Sequence, residues 1–188
     1  MTLFKDKYRI ESIRVRGYDY SQPGAYFITI VTYNRQCLFG NIVDGEMRLN
    51  EYGELVKTEW QKTGIIRPNI DVDAFVVMPN HLHGILIITD NDEFGRDTLQ
   101  RVSMITNTDT DMRKIEQFGK PTKNSIPTIV RLFKSTTTKK INQRCQTPMQ
   151  PWWQHNYYEH IIRDTNDLSR IRNYIMDNPQ NWNNDEYK

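Results

Sequence analysis

The chain has 188 residues, 37% of them hydrophobic, and a formal net charge of +2. That length suits one domain with a real core, and a total charge so near balance announces no nucleic-acid binder by itself. Cys37 and Cys145 stand far apart with no ligand spacing around them, which argues against a structural zinc or a disulfide framework. With no apolar leader and no long apolar run, neither secretion nor membrane insertion is expected, and the thiols are expected free in a reducing cytoplasm.

Taken along the chain, Pro23-Gly24 marks a turn and the β-branched, aromatic run from Ala25 to Thr32 predicts a strand. A small hairpin is predicted from Asn41 to Leu49, turning at Asp44-Gly45, a dipeptide that tolerates positive φ. Asn50 can cap a helix reaching about Thr63, with Leu55, Val56 and Trp60 on its buried face. Ile70 to Met78 reads as a strand, Pro79-Asn80 as a turn, and His81 to Thr89 as a second strand. From Asp90 to about Lys123 apolar periodicity disappears, and a flexible surface insertion is expected within a single domain spanning 1–188. Helical periodicity returns from about Ile126 to Asn142, Tyr157 to Ile162 has strand composition, and Asp164 or Thr165 can cap a last helix. That helix should stop at Asn178-Pro179, because proline disfavours helical geometry in the residue before it. Without the hairpin the order is β-α-β-β-α-β plus one helix: an α+β fold, with a ferredoxin-like antiparallel sheet. The core helices cover one face and leave the other for the extra helix.

Alternation along the strand from His81 places His81, His83, Ile85 and Ile87 on one face, away from Leu82, Leu86 and Ile88. Two imidazoles at i and i+2 on one face can chelate a cation and leave coordination positions open; they can also be ordinary polar residues near a strand end. The topology lays the last helix across them. On that helix Tyr174 borders the stripe of Leu168, Ile171 and Ile175, and Asn178 follows one turn later. Tyr174 is then a phenol nucleophile or a half-buried core residue, and Asn178 a third ligand or a helix terminator. Between Ser125 and Arg163 six cations (Arg131, Lys134, Lys139, Lys140, Arg144 and Arg163) face one acid, Glu159, a surplus that suits a DNA-backbone surface or a solvated face. Trp152 and Trp153 offer base stacking or core packing, and His160 a phosphate contact.

The stretch Val76-Val77-Met78-Pro79-Asn80-His81-Leu82-His83-Gly84 resembles the histidine-hydrophobic-histidine motif of the HUH endonucleases. More narrowly, it is similar to the REP-associated tyrosine transposases, relatives of single-tyrosine insertion-sequence transposases. Further blocks resemble that family in its order: Gly17-Tyr18-Asp19-Tyr20, the strand from Gly24, Lys134-Ser135, Trp153 through Arg163, and Tyr174 through Pro179. The resemblance implies that His81 and His83 hold a divalent ion, Mg²⁺ or Mn²⁺, and that Tyr174 is the nucleophile. Asn178 falls where relatives carry an amide that assists the metal. It also implies single-stranded DNA as substrate, folded as palindromic hairpin repeats, cut and rejoined through a 5′-phosphotyrosyl intermediate by a monomer or a homodimer. A hairpin-binding protein without catalysis, and a metallohydrolase that uses water, are the rival readings.

Overall fold

The computed structural model describes residues 3–4, 7–8, 18–89 and 122–188. Two two-residue strands, β1 (Leu3–Phe4) and β2 (Lys7–Tyr8), pair with each other. The main sheet is built from β3 (Gly24–Val31), β6 (Ile70–Val77), β7 (His81–Ile88) and β8 (Tyr158–Ile162). Its spatial order is β6-β7-β3-β8 and every neighbouring pair is antiparallel. With β3 counted as the first strand, that is the expected ferredoxin-like arrangement. The hairpin of β4 (Gly40–Val43) and β5 (Glu46–Leu49) turns where expected, and Asp44 and Gly45 both take positive φ, 52° and 77°.

Helices cover both faces of the sheet. On one face α1 (Glu51–Ile65) and α2 (Ile126–Cys145) pack Val56, Trp60, Ile129 and Phe133 onto Tyr26, Ile28, Leu82 and Leu86. On the other, α3 (Thr165–Asp177) packs Leu168, Ile171 and Ile175 onto Phe27, Ile85, Ile87 and Ile162. The central strands β3 and β7 are therefore buried along their whole length, which is why their sequences carry apolar residues on both faces. Asn50 caps α1 by accepting from the Tyr52 and Gly53 amides, and Asp164 caps α3 by accepting from Asp167 N–H. The boundaries move little: α2 runs on to Cys145 and β8 begins at Tyr158. The expected insertion lies outside the described residues, except for residues 122 and 123. No described helix is long and apolar enough to cross a membrane.

Gly84 is the close-approach point between sheet and helices. A Cβ built there would stand 2.6 Å from Cζ2 of Trp60, whose ring is fully buried and cannot swing aside. Gly84→Ala should destabilise the fold by about 1–3 kcal/mol through overpacking, measured by urea unfolding. An unchanged midpoint would mean the Trp60 ring has room that its contacts deny.

Trp152 and Trp153 correct one expectation. An isolated bridge from Thr32 to Trp153 and the bond from Tyr33 N–H to the Trp152 carbonyl draw both residues onto the end of β3. Trp153 then packs against Phe39 and Phe133 and donates to Thr137 Oγ1 at 2.8 Å, while Trp152 donates to Asn142 Oδ1 at 2.6 Å. With 7% and 6% exposure, neither ring has a free face for a base to stack on.

Candidate metal and nucleophile site

His81 and His83 extend the α3-side face of β7 beyond Ile85, with ring centroids 4.4 Å apart and no solvent exposure. Each ring is held through Nδ1. His83 Nδ1 lies 2.8 Å from Thr29 Oγ1, its cross-strand partner on β3. His81 Nδ1 lies 2.7 Å from Asn80 Oδ1. The Asn80 amide is oriented by its other end, where Nδ2 donates to the Tyr187 and Arg35 carbonyls at 2.6 and 3.2 Å. Its Oδ1 can therefore only accept, which puts the His81 proton on Nδ1 and leaves the Nε2 lone pair facing inward.

Burial pulls the His81 pKa down to about 4 against the opposing effects of the Asp185 charge and Asn178. Burial, and next the neighbouring His81, lower His83 well below the ordinary histidine range. Both rings are thus neutral, the form that ligates metal. A base whose folded pKa is depressed contributes stability that is fully present above the unfolded value, near 6.5, and is lost as pH falls toward 4. In EDTA, the protein should lose about 2 kcal/mol between pH 7.5 and 5 from His81 alone. Urea midpoints at the two pH values measure the loss, and His81→Gln should reduce it; an equal loss in that variant would mean other groups carry it.

Tyr174 reaches the pair from α3. Its Oη lies 3.3 Å from His83 Nε2, its ring meets Phe27 edge-on, and it is the exposed member of the group at 41%. Partial burial, then the Asp185 and Glu186 charges, raise its pKa to about 12, with Asn178 opposing. The phenol therefore keeps its proton at neutral pH unless positive charge is placed beside it.

Asn178 is at the site, buried as the last residue of the α3 turn, but its amide nitrogen is engaged: Nδ2 donates to Asp185 Oδ2 at 3.1 Å. Asp185 Oδ2 is 3.8 Å from His81 Nε2, and ligand atoms of His81, His83 and Asp185 all lie within 4.8 Å of one another. His81 Nε2 and Asn178 Oδ1 are buried without a hydrogen-bond partner among the described residues. Two lone pairs left over beside a carboxylate and a second imidazole are the surroundings a divalent cation satisfies, so these residues fit a metal.

Asp185, Asn80, Thr29 and Tyr187 had no place in the expected site. The Asn181–Lys188 tail carries no periodicity, and Thr29 is linked to His83 only by strand register. The tail is pinned from several sides: Arg35 Nη1 donates to the Glu186 carbonyl at 2.8 Å, and the Tyr187 ring lies 5.1 Å from His81.

The basic helix is not brought to the histidines. Arg131, Lys134, Lys139 and Lys140 belong to α2, across the sheet from them. Lys134 Nζ donates to the carbonyls of Gln154, His155 and Asn156, and Lys140 pairs with Glu59 at 2.7 Å, while Arg131 and Lys139 are exposed. His160 does share the histidine face, with Nε2 2.7 Å from Asp167 Oδ2, and Arg163 is exposed between β8 and α3.

No model of a known protein family matches the chain. A Haemophilus influenzae protein of uncharacterised activity is 38% identical over 175 residues, 93% of this chain and 91% of the relative. A second protein of that organism, provisionally named a REP-associated tyrosine transposase, is 24% identical over 86% of this chain and 73% of its own length. The chain is thus similar in sequence to a protein provisionally named a REP-associated tyrosine transposase. A solved structure of a REP-associated tyrosine transposase bound to a REP hairpin shares the fold, with a TM-score of 0.53 at 20% identity, covering 91% of this chain and 73% of that one. That similarity supports a role in DNA processing, and the His81-His83-Asp185 group is compatible with a metal in it.

Proposed function

We propose that the chain is a divalent-metal-dependent endonuclease and strand transferase for single-stranded DNA, acting on hairpin repeats through a 5′-phosphotyrosyl intermediate. The observation that carries this reading is the Tyr174 hydroxyl 3.3 Å from Nε2 of His83, at the open edge of a buried histidine pair. His81 and His83, with an oxygen from the Asn178–Asp185 pair, would hold the ion. When bound, Mg²⁺ or Mn²⁺ supplies Lewis-acid polarisation of the scissile phosphate, and two imidazoles suit Mn²⁺ the better.

Tyr174 Oη attacks phosphorus from the exposed side of the site. The bond from phosphorus to the 3′ oxygen breaks, that oxygen takes up a proton as a 3′-hydroxyl, and the 5′ phosphate stays on the phenol. The new ester conserves the phosphodiester linkage, so a 3′-hydroxyl can displace Tyr174 and join strands without another energy source. Positive charge beside Oη offsets the rise to about 12 that burial and the tail carboxylates impose on the phenol. Tyr174 contacts a histidine of its own chain, so a monomer suffices, although a homodimer is compatible with the same residues. His160, on the histidine face, and the exposed Arg163 that follows β8 are the candidates for backbone contacts; Arg131 and Lys139 would meet only DNA that continues around the molecule. The hairpin as substrate is supported by the relative solved on one, and a cytoplasmic location follows from such a substrate.

The test is incubation of end-labelled single-stranded hairpin DNA with the protein, with and without Mn²⁺ or Mg²⁺, resolved under denaturing conditions. Metal-dependent cleavage with a covalent protein–DNA band is expected. Hairpin binding with no cut at any metal concentration would overturn the reading in favour of a binding protein.

A further inference from the structure

We propose that Asp185, donated by the tail after α3, is the oxygen ligand that completes the His81–His83 metal site, and that Asn178 positions its carboxylate. This rests on the metal-dependent reading above and assigns a residue that neither the histidine motif nor the tyrosine helix contains.

The Asp185 side chain is 2% exposed, and among the described residues its only ion-pair contact is His81 Nε2 at 3.8 Å. No lysine or arginine of those residues reaches it. A buried carboxylate without a cation is expensive, and a neutral imidazole whose proton is turned toward Asn80 does not compensate it. A divalent ion between Nε2 and Oδ2 would compensate it and use the lone pair of His81 that is otherwise unpartnered.

The carboxylate is also aimed. Asn178 Nδ2 donates to Oδ2 at 3.1 Å and the Tyr187 amide donates to Oδ1 at 2.7 Å, fixing the plane of the group. Supporting hydrogen bonds of this kind orient ligands in metal sites. Asn178 spends its amide nitrogen on that bond, which makes it a positioning residue for Asp185, with its own oxygen still turned into the buried site. Carboxylate oxygen is moreover a better match than a neutral amide for a hard ion such as Mg²⁺ or Mn²⁺.

The tail is built to stay. The Glu186 carbonyl accepts from Arg35 and the Tyr187 carbonyl from Asn80, the same residue that orients His81. Metal binding and docking of the 182–188 segment are therefore coupled: the ion anchors the tail, and the tail raises affinity for the ion.

Mn²⁺ titration by calorimetry on the full chain tests this, with Asp185→Asn, Asn178→Ala, His83→Ala and a chain ending at Asn181. Asp185→Asn keeps the shape and should weaken Mn²⁺ binding by about 10-fold or more; the shortened chain should lose at least as much. Asn178→Ala should lose less than Asp185→Asn. In the native chain, Mn²⁺ should slow proteolytic removal of the tail, and in Asp185→Asn it should not. The proposal is overturned if Asp185→Asn binds Mn²⁺ within twofold of the native chain while His83→Ala does not, a result that leaves the metal-dependent reading standing. It is equally overturned if the shortened chain binds Mn²⁺ as well as the whole one and cuts DNA faster, because the tail would then be a cover. A native chain that binds no Mn²⁺, or binds it equally well in His83→Ala, removes this proposal and the metal-dependent reading together.

Discussion

Tyr174→Phe abolishes the covalent protein–DNA adduct and slows strand cleavage on the order of 10³-fold or more, the scale on which enzymes lose rate when their nucleophile is removed. The substitution is well suited to the question because it deletes one oxygen and keeps the ring. Contacts of that ring with Phe27 and His83 persist, so folding and metal binding should change little. The hydroxyl stands 3.3 Å from His83 Nε2, whereas Tyr158, the other exposed tyrosine near Phe27, makes only an edge contact to it at 6.4 Å. Tyr187 is the closer competitor, with its ring 5.7 Å from His83. Denaturing gels of Mn²⁺ reactions on labelled hairpin DNA measure the outcome. An adduct that survives in Tyr174→Phe would move the nucleophile to Tyr187 or Tyr158, and cleavage that survives without an adduct would make water the attacking group.

His81→Ala should lower Mn²⁺ affinity by more than about 100-fold, beyond the 10–100-fold typical of losing a residue that merely supports a ligand. Cleavage at moderate Mn²⁺ should vanish with it. His81 is the sharper choice of the two histidines, because its Nδ1 is committed to Asn80 and its Nε2 has no hydrogen-bond partner among the described residues. His83 also touches Tyr174, so its removal would disturb nucleophile and metal together. The change leaves a small polar cavity, and circular dichroism should show the native fold. Mn²⁺ titrations of binding and of cleavage provide the two readouts. Unchanged affinity in a folded His81→Ala chain would remove the histidine pair from metal binding and return both residues to the role of buried polar packing.

The pattern of these effects follows from how much of the site is local in sequence. Alternation alone puts His81 and His83 on one strand face, since successive side chains point to opposite sides whatever the strand pairs with. The α3 stripe of Leu168, Ile171 and Ile175 likewise fixes which side of that helix is buried, and Tyr174 beside it follows. Cap positions were legible for the same reason, because Asn50 and Asp164 act on amides two or three residues away. The order of strands and helices then limited the topology to the one observed.

Contacts beyond local rules leave no mark in the sequence. Trp152 and Trp153 sit in a polar, proline-punctuated stretch that resembles a surface loop, and only the bridge to Thr32 carries them into the core. The α2 cations form a dense run in sequence, yet Lys134 is consumed by three carbonyls and Lys140 by Glu59, on the side of the sheet away from the histidines. Asn178 is legible as a ligand or a helix terminator, but the bond from its Nδ2 to Asp185 is not.

The sequence by itself determined the elements, their order, the shared face of the two histidines and the helix that carries the tyrosine, all of which depend on short-range periodicity and capping. Tertiary structure alone decided which groups complete the site. Thr29 meets His83 through the register of β3 on β7, and Asp185 meets His81 because the tail after α3 folds back over the sheet. Such contacts join residues about 50 to 100 positions apart, and no periodicity records them; long-range burial of polar groups, each needing a partner, is the force that brings them together.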